Sequence, residues 1–166
     1  WIPWTGFAKI LGMSCGSKVV AKSAPEERVG VMCLEDGRPS IIEYYEMSDE
    51  MLHQLDSNGN LAYKYGVILN YLFNISELDK IVGFELPLHR AFKAVSCLDD
   101  YGNVINSDKP NAYKFEAFLF DAFGEVDDMA ILRVNREEEF APVKNADDAG
   151  VDCPSTAREL YEKFHN

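Results

Sequence analysis

The chain has 166 residues, 47% hydrophobic and 27% charged, which is the size and composition of one globular domain rather than of a disordered segment. A formal net charge of -12 excludes binding along a nucleic-acid backbone, which needs clustered Lys and Arg, so any anionic ligand must meet a local basic cluster. The longest apolar runs, such as Val67 to Phe73, fall far short of the roughly 20 residues of a bilayer crossing, so the expectation is a soluble protein with no membrane contact. Four cysteines at 15, 33, 97 and 153 form no Cys-x-x-Cys pair and stand at no zinc spacing, which points to a reducing, cytoplasmic compartment. Trp1-Ile-Pro-Trp-Thr-Gly-Phe7 carries no initiator Met and reads as a cut end.

In chain order, turn signals separate elements of both periods, which predicts one α/β unit over residues 1–166. Val29 to Leu34 and Pro39 to Tyr45 flank Glu35-Asp36-Gly37-Arg38, a β-hairpin signal. Within the second run, Ile41 and Glu43 share one strand face and Ile42 and Tyr44 the other, so one carboxylate joins an apolar face. Ser48, Asp49 and Glu50 open a helix that the Ser57–Asn60 cluster ends. Leu61 to Phe73 reads as a buried strand, with Asn70 as a polar interruption that needs a partner. Ser76 is expected to cap a short helix through Val82, and Leu88 to Val95 to form another before the turn at Asp99–Asn103. Asp108–Asn111 is a loop. Phe115, Phe118, Leu119 and Ala122 then fall at the spacing of a helical stripe. Met129 to Val134 is a strand, and Ala157, Leu160, Tyr161 and Phe164 mark a final helix after Pro154 and Ser155.

Between these last two elements lies Arg136-Glu-Glu-Glu-Phe-Ala-Pro-Val-Lys-Asn145, a loop at a strand end, where ligands of α/β sheets gather. Lys144 there is either a point charge for a phosphate or a solvated lysine. Glu43 is either an acceptor for sugar hydroxyls or the partner of a lysine. Phe118 and Phe120 either stack on a sugar ring or fill the core. Lys18, Lys22, Lys109 and Lys114 are candidates for a positive lining, and the acid runs 137–139 and 147–148 read as solvated rather than metal-binding. No glycine-rich phosphate loop occurs, and His53, His89 and His165 stand isolated, so no His-centred nucleophile is proposed.

Taken together and in order, Cys15-Gly-Ser-Lys-Val-Val20, Val29-Gly-Val31, Ile42-Glu-Tyr44, Asp108-Lys-Pro-Asn111, Lys114 to Asp121, Arg136 to Asn145 and Ser155-Thr-Ala-Arg158 resemble the eukaryotic UDP-N-acetylglucosamine pyrophosphorylase family. Phe-Ala-Pro-Val-Lys-Asn is the most specific piece. The resemblance implies the C-terminal half of a Rossmann-like nucleotide-sugar-transferase domain, a mixed sheet flanked by helices, without the N-terminal nucleotide-gripping loop or the C-terminal extension. It implies UTP and a sugar 1-phosphate as substrates, the remaining half of the domain as partner, and Mg2+ with ligands outside this chain. By position, it gives Glu43 the sugar hydroxyls, Lys144 the phosphate, and Phe118 and Phe120 the sugar side. Gly66-Val67 stands where the family has Gly-Asn, which opens a UDP-glucose or broader UDP-sugar preference, or a non-catalytic sugar-nucleotide or interaction module.

Overall fold

The computed structural model describes residues 6, 9, 12, 13 and 15–165, so the Trp1–Phe7 segment lies outside the described residues except for Gly6. Its centre is a five-stranded mixed sheet built from β1 (Cys15–Ala21), β2 (Val31–Glu35), β3 (Arg38–Ile42), β4 (Tyr65–Phe73) and a late strand, Ala130–Arg133, in the order β3-β2-β4-β1 and then Ala130–Arg133. β1 runs antiparallel to β4 and parallel to Ala130–Arg133, which makes the sheet mixed, as the α/β reading requires. The β2–β3 hairpin forms where Asp36-Gly37 predicts it: both residues take positive φ, 51° and 81°, the turn whose twist matches the flanking strands. Ser48 caps α1 (Asp49–His53) by accepting the Met51 N–H at 3.2 Å. That helix ends at His53, before the Ser57–Asn60 cluster, because Gln54 is already extended.

β4 starts at Tyr65 rather than Leu61. Opposite it, β1 advances two residues, from Ser17 to Val19, while β4 advances four, from Tyr71 to Val67. This bulge holds Leu69 at φ 55° and turns its side chain into solvent. Asn70, expected to need a buried partner, is only half-buried beside the bulge, and its side chain makes no hydrogen bond among the described residues. α2 (Ile75–Ile81) is capped by Asn74, not Ser76.

Two predicted helices are absent. Residues 88–95 contain β5 (His89–Lys93), and the stripe of Phe115, Phe118, Leu119 and Ala122 is split between β8 (Ala112–Glu116) and a 3-10 helix (Leu119–Glu125). The reason is tertiary: β5 and β8 pair antiparallel, from His89 opposite Glu116 to Lys93 opposite Ala112, and each satisfies the other's backbone. Phe115 and Leu119 are consequently exposed. A smaller hairpin of β6 (Cys97–Leu98) and β7 (Val104–Ile105) closes on the Asp99–Asn103 turn. The late strand Ala130–Arg133 is β9; after it come the one-turn α3 (Arg136–Glu139), which opens the stretch read as loop, and α4 (Pro154–His165). On α4, Ala157 and Leu160 are half-buried while Tyr161 and Phe164 are exposed.

The core lies between the sheet and the 3-10 helix. Val19, Ile41, Val67, Phe120 and Phe123 form one buried cluster, and Cys15, Ile81, Ala122 and Val126 a second beside it. Phe123 is fully buried, edge-on to Tyr71 at 5.0 Å and tilted against Phe73 at 6.0 Å.

Candidate functional site

Glu43 is the first residue beyond β3, and its half-buried carboxylate points back to the sheet. A Cβ placed on Gly30 would stand 3.1 Å from Glu43 Oε1, 3.1 Å from Ile41 and 3.3 Å from Val67, so the carboxylate and these two core residues converge on the space that Gly30 leaves open. Burial, then the charge of Glu46, pushes the Glu43 carboxyl above its ordinary range, with His89 opposing. At Gly66 a Cβ would meet Val29 Cγ2 at 2.9 Å, so any side chain here would have to displace Val29, just ahead of β2. Val67 faces the core at 6% exposure and offers no polar group.

Phe118 and Phe120 are stacked, with centroids 4.7 Å apart and planes 12° from parallel. Phe120 is interior and Phe118 half-buried at the edge of the cluster. Of the two, Phe118 is the one left partly exposed.

His89, which looked isolated in the sequence, is held on both sides. Its Nδ1 lies 2.8 Å from Glu46 Oε1 and its Nε2 2.9 Å from Asp121 Oδ1, with the ring 5.0 Å from that of Phe118. Burial favours the neutral ring, but the hydrogen bonds to Glu46 and Asp121 outweigh it and raise the His89 pKa. A raised folded pKa stabilises the fold below the unfolded value of about 6.5, and that stabilisation is lost as pH rises through the folded value. Thermal unfolding between pH 6 and 9 is therefore expected to show a midpoint that falls with pH, and a flatter fall in His89→Gln; identical slopes would show that His89 does not carry this dependence.

The loop bearing Lys144 is fixed at its start and its end. Arg136 binds the Glu27 carboxylate, Lys18 binds Glu139 at 2.7 Å, and the Lys144 and Asn145 N–H groups both donate to the Asp152 carbonyl, at 2.7 and 3.0 Å. Lys144 Nζ, exposed, donates to the Arg28 carbonyl at 3.0 Å. Lys144, Arg28, Lys93 and Tyr44 line a cavity of about 530 Å³ together with Asn145 and two acids, Asp152 and the Glu27 that Arg136 binds. A neighbouring cavity of about 960 Å³ shares Arg28, Tyr44 and Lys93 and adds Arg90. Among the described residues none of these four cations is ion-paired with a carboxylate, in a chain of net charge -12.

The basic lining is therefore Arg28, Arg90, Lys93 and Lys144, not the expected set. Lys18 is taken by Glu139 and Lys114 by Glu116, Lys22 donates to the Pro25 carbonyl at 2.6 Å, and Lys109 belongs to a turn at Ser107. The acid runs are also engaged within the chain: Glu137 meets Lys163, and Asp147 accepts the Ser155 N–H at 2.8 Å. Tyr44 links the two predicted contacts, since it follows Glu43 and walls the cavity of Lys144. His89, Arg90 and Lys93 were missed because they sit in the segment read as a helix, and only its pairing with β8 sets their directions.

A family model described as UTP--glucose-1-phosphate uridylyltransferase matches residues 8–160. The chain is 45% identical over 163 residues to the UDP-N-acetylhexosamine pyrophosphorylase-like protein 1 of Mus musculus, covering 96% of this chain and 32% of that protein. It is 32% identical to the UDP-N-acetylglucosamine pyrophosphorylase of Saccharomyces cerevisiae, with 96% and 35% covered. The uridine diphosphate N-acetylglucosamine pyrophosphorylase of Trypanosoma brucei, solved in complex with inhibitor, superposes with a TM-score of 0.76 at 30% identity over 96% of this chain and 31% of that one. The chain thus spans about a third of the length of the curated relatives it matches.

Proposed function

Given that the chain belongs to the UTP--glucose-1-phosphate uridylyltransferase family, we propose that it is part of a uridylyltransferase making UDP-N-acetylglucosamine and pyrophosphate from UTP and N-acetylglucosamine 1-phosphate, and that it supplies sugar and phosphate contacts. The observation that carries this is the adjacency of a half-buried carboxylate at Glu43 to a cavity lined by Arg28, Lys93 and Lys144 through the shared wall of Tyr44. The sugar-phosphate oxygen attacks the α-phosphorus of UTP in line and pyrophosphate leaves. Lys144 meets the negative charge that develops on the phosphoryl oxygens. Glu43 accepts hydrogen bonds from two sugar hydroxyls, Phe118 covers the ring, and Gly66 and Val67 form the floor.

The four basic side chains fit the phosphates, but the chain has no glycine-rich loop to hold the nucleotide. Turnover is therefore assigned to the polypeptide in which residues 1–166, as one unit, complete a catalytic domain with such a loop. Among the described residues no three His, Cys, Asp or Glu side chains gather as a metal site, and the Mg2+ that the resemblance implies is assigned to ligands elsewhere in the complete domain. The unpaired cysteines suit a cytoplasmic setting, and no helix among the described residues is long and apolar enough to cross a membrane.

Val67 favours a second reading on specificity. An apolar side chain offers the N-acetyl group no hydrogen bond, and losing one such bond relaxes discrimination by roughly tenfold. Assayed side by side, the full-length protein is expected to turn over UDP-N-acetylglucosamine and UDP-glucose at rates within about tenfold of each other. A strong preference for the former overturns the Val67 inference; turnover of neither overturns the enzyme reading.

A further inference from the structure

The contacts around His89 form one continuous bracket. Glu46, which binds His89 Nδ1 through Oε1, accepts the backbone N–H of Glu43 through Oε2 at 3.3 Å. Asp121 binds His89 Nε2 through both oxygens, at 2.9 and 3.0 Å, and its Oδ2 also accepts the backbone N–H of Phe118 at 3.3 Å. The bracket runs from the Glu43 backbone through Glu46, His89 and Asp121 to the Phe118 backbone, joining the end of β3 to the start of the 3-10 helix. The His89 and Asp121 side chains are 17% and 13% exposed, so water competes weakly on the Asp121 side, while Glu46, 39% exposed, holds the more open arm.

A neutral imidazole carries one N–H and can donate to one carboxylate. Both ring nitrogens face carboxylate oxygens within 3 Å, an arrangement in which each must donate. The other charges facing the ring are also negative: Glu116 stands opposite His89 in the β5–β8 register, its carboxylate bound by Lys114, and Glu43 acts from the end of β3. Arg90, the next residue along the strand, lies over the Tyr113 ring instead.

We propose that His89 is a positioning residue: as an imidazolium donating to Glu46 and Asp121 at once, it fixes the Glu43 and Phe118 backbones relative to each other, and sugar affinity falls as it loses a proton. This rests on the sugar-side reading of Glu43 and Phe118 given above, and it makes the bracket, rather than either contact alone, the determinant of sugar binding. Loss of a proton leaves one carboxylate facing a ring lone pair, and the link from Glu43 to Phe118 through the ring is broken while the core contacts of Ile41 with Phe120 and Phe123 remain.

Three measurements on the full-length protein decide it. In nitrogen-detected NMR of the imidazoles, both His89 ring nitrogens are expected to carry protons at pH 7.5, and a single neutral tautomer there overturns the proposal; this readout needs no turnover. His89→Gln is expected to raise KM for the UDP-sugar in pyrophosphorolysis by about ten- to a hundredfold while KM for pyrophosphate changes by less than about threefold. An equal rise in both, or in neither, overturns it. Glu46→Gln keeps an oxygen for the Glu43 N–H but removes the charge, and is expected to move the rise of sugar KM to lower pH; an unmoved profile overturns the pH link. A wild-type protein without turnover sinks the proposed function, while the NMR result still decides the bracket.

Discussion

Lys144→Ala in the full-length protein is expected to lower pyrophosphorolysis of a UDP-sugar by about 10²- to 10³-fold, the loss that follows removal of one preorganised charge from a developing oxyanion. The melting temperature is expected to stay within about 2 °C of wild type, because surface substitutions cost within about 0.5 kcal/mol. The structure separates the two effects. Lys144 is exposed, and among the described residues its ammonium donates one hydrogen bond, to the Arg28 carbonyl, which water can replace. The loop is held without it, by the Lys144 and Asn145 backbone bonds to Asp152 and by the ion pairs at Arg136 and Lys18. A loss of activity matched by an equal loss of stability would make Lys144 a structural residue, and Arg28, Lys93 and Arg90 would be left as the phosphate lining.

Phe123→Ala is expected to give the largest loss of stability in the chain, about 3–5 kcal/mol, the range for truncating a buried aromatic. Phe123 is fully buried, and its ring closes the space among Tyr71, Phe73 and Val67 where the 3-10 helix meets the sheet. A 3-10 helix has poorer hydrogen-bond geometry than an α-helix and depends on such anchoring. In denaturant, the midpoint should fall with the slope unchanged, which marks a loss of stability rather than of compactness. Should the variant not accumulate, Phe123→Leu keeps most of the volume and is expected to cost roughly 1–1.5 kcal/mol. A cost below about 1 kcal/mol for Phe123→Ala would place the anchor of this helix elsewhere.

Elements defined by local chemistry were legible without the fold. Asp36-Gly37 announces its hairpin because two consecutive positive φ values need such residues, and Ser48 announces α1 because its hydroxyl caps the Met51 N–H. The alternation that put Glu43 on the face of Ile41 agrees with their convergence at Gly30. What was not legible depends on pairing across distance. Phe115, Phe118, Leu119 and Ala122 fit a helical period, yet β8 is a strand because β5 supplies its hydrogen bonds, and β5 was itself hidden as an apparent helix. His89 looked solitary because Glu46 and Asp121 are 43 and 32 residues away. The lysines chosen as a phosphate lining were basic residues near the right stretches, but the carboxylates that neutralise Lys18 and Lys114 become visible only when β1, α3 and β8 are in place.

The parallel pairing of β1 with β9 also sets a schedule for biosynthesis. Gly16 is synthesised well before Ala130, its neighbour in the sheet, and the antiparallel β4 arrives in between. At about 5–20 residues per second, making the stretch that separates them takes on the order of 6–20 s. Once β4 has been made, β1 can be zipped to it on one side while its other side shows unpaired N–H and C=O groups until β9 arrives, a template for any strand nearby. Once β9 docks, Val134 N–H donates to the Val19 carbonyl and α3 comes within reach of Lys18 and Glu27. The loop carrying Lys144 is thus fixed in place by the same event that covers the open edge of β1.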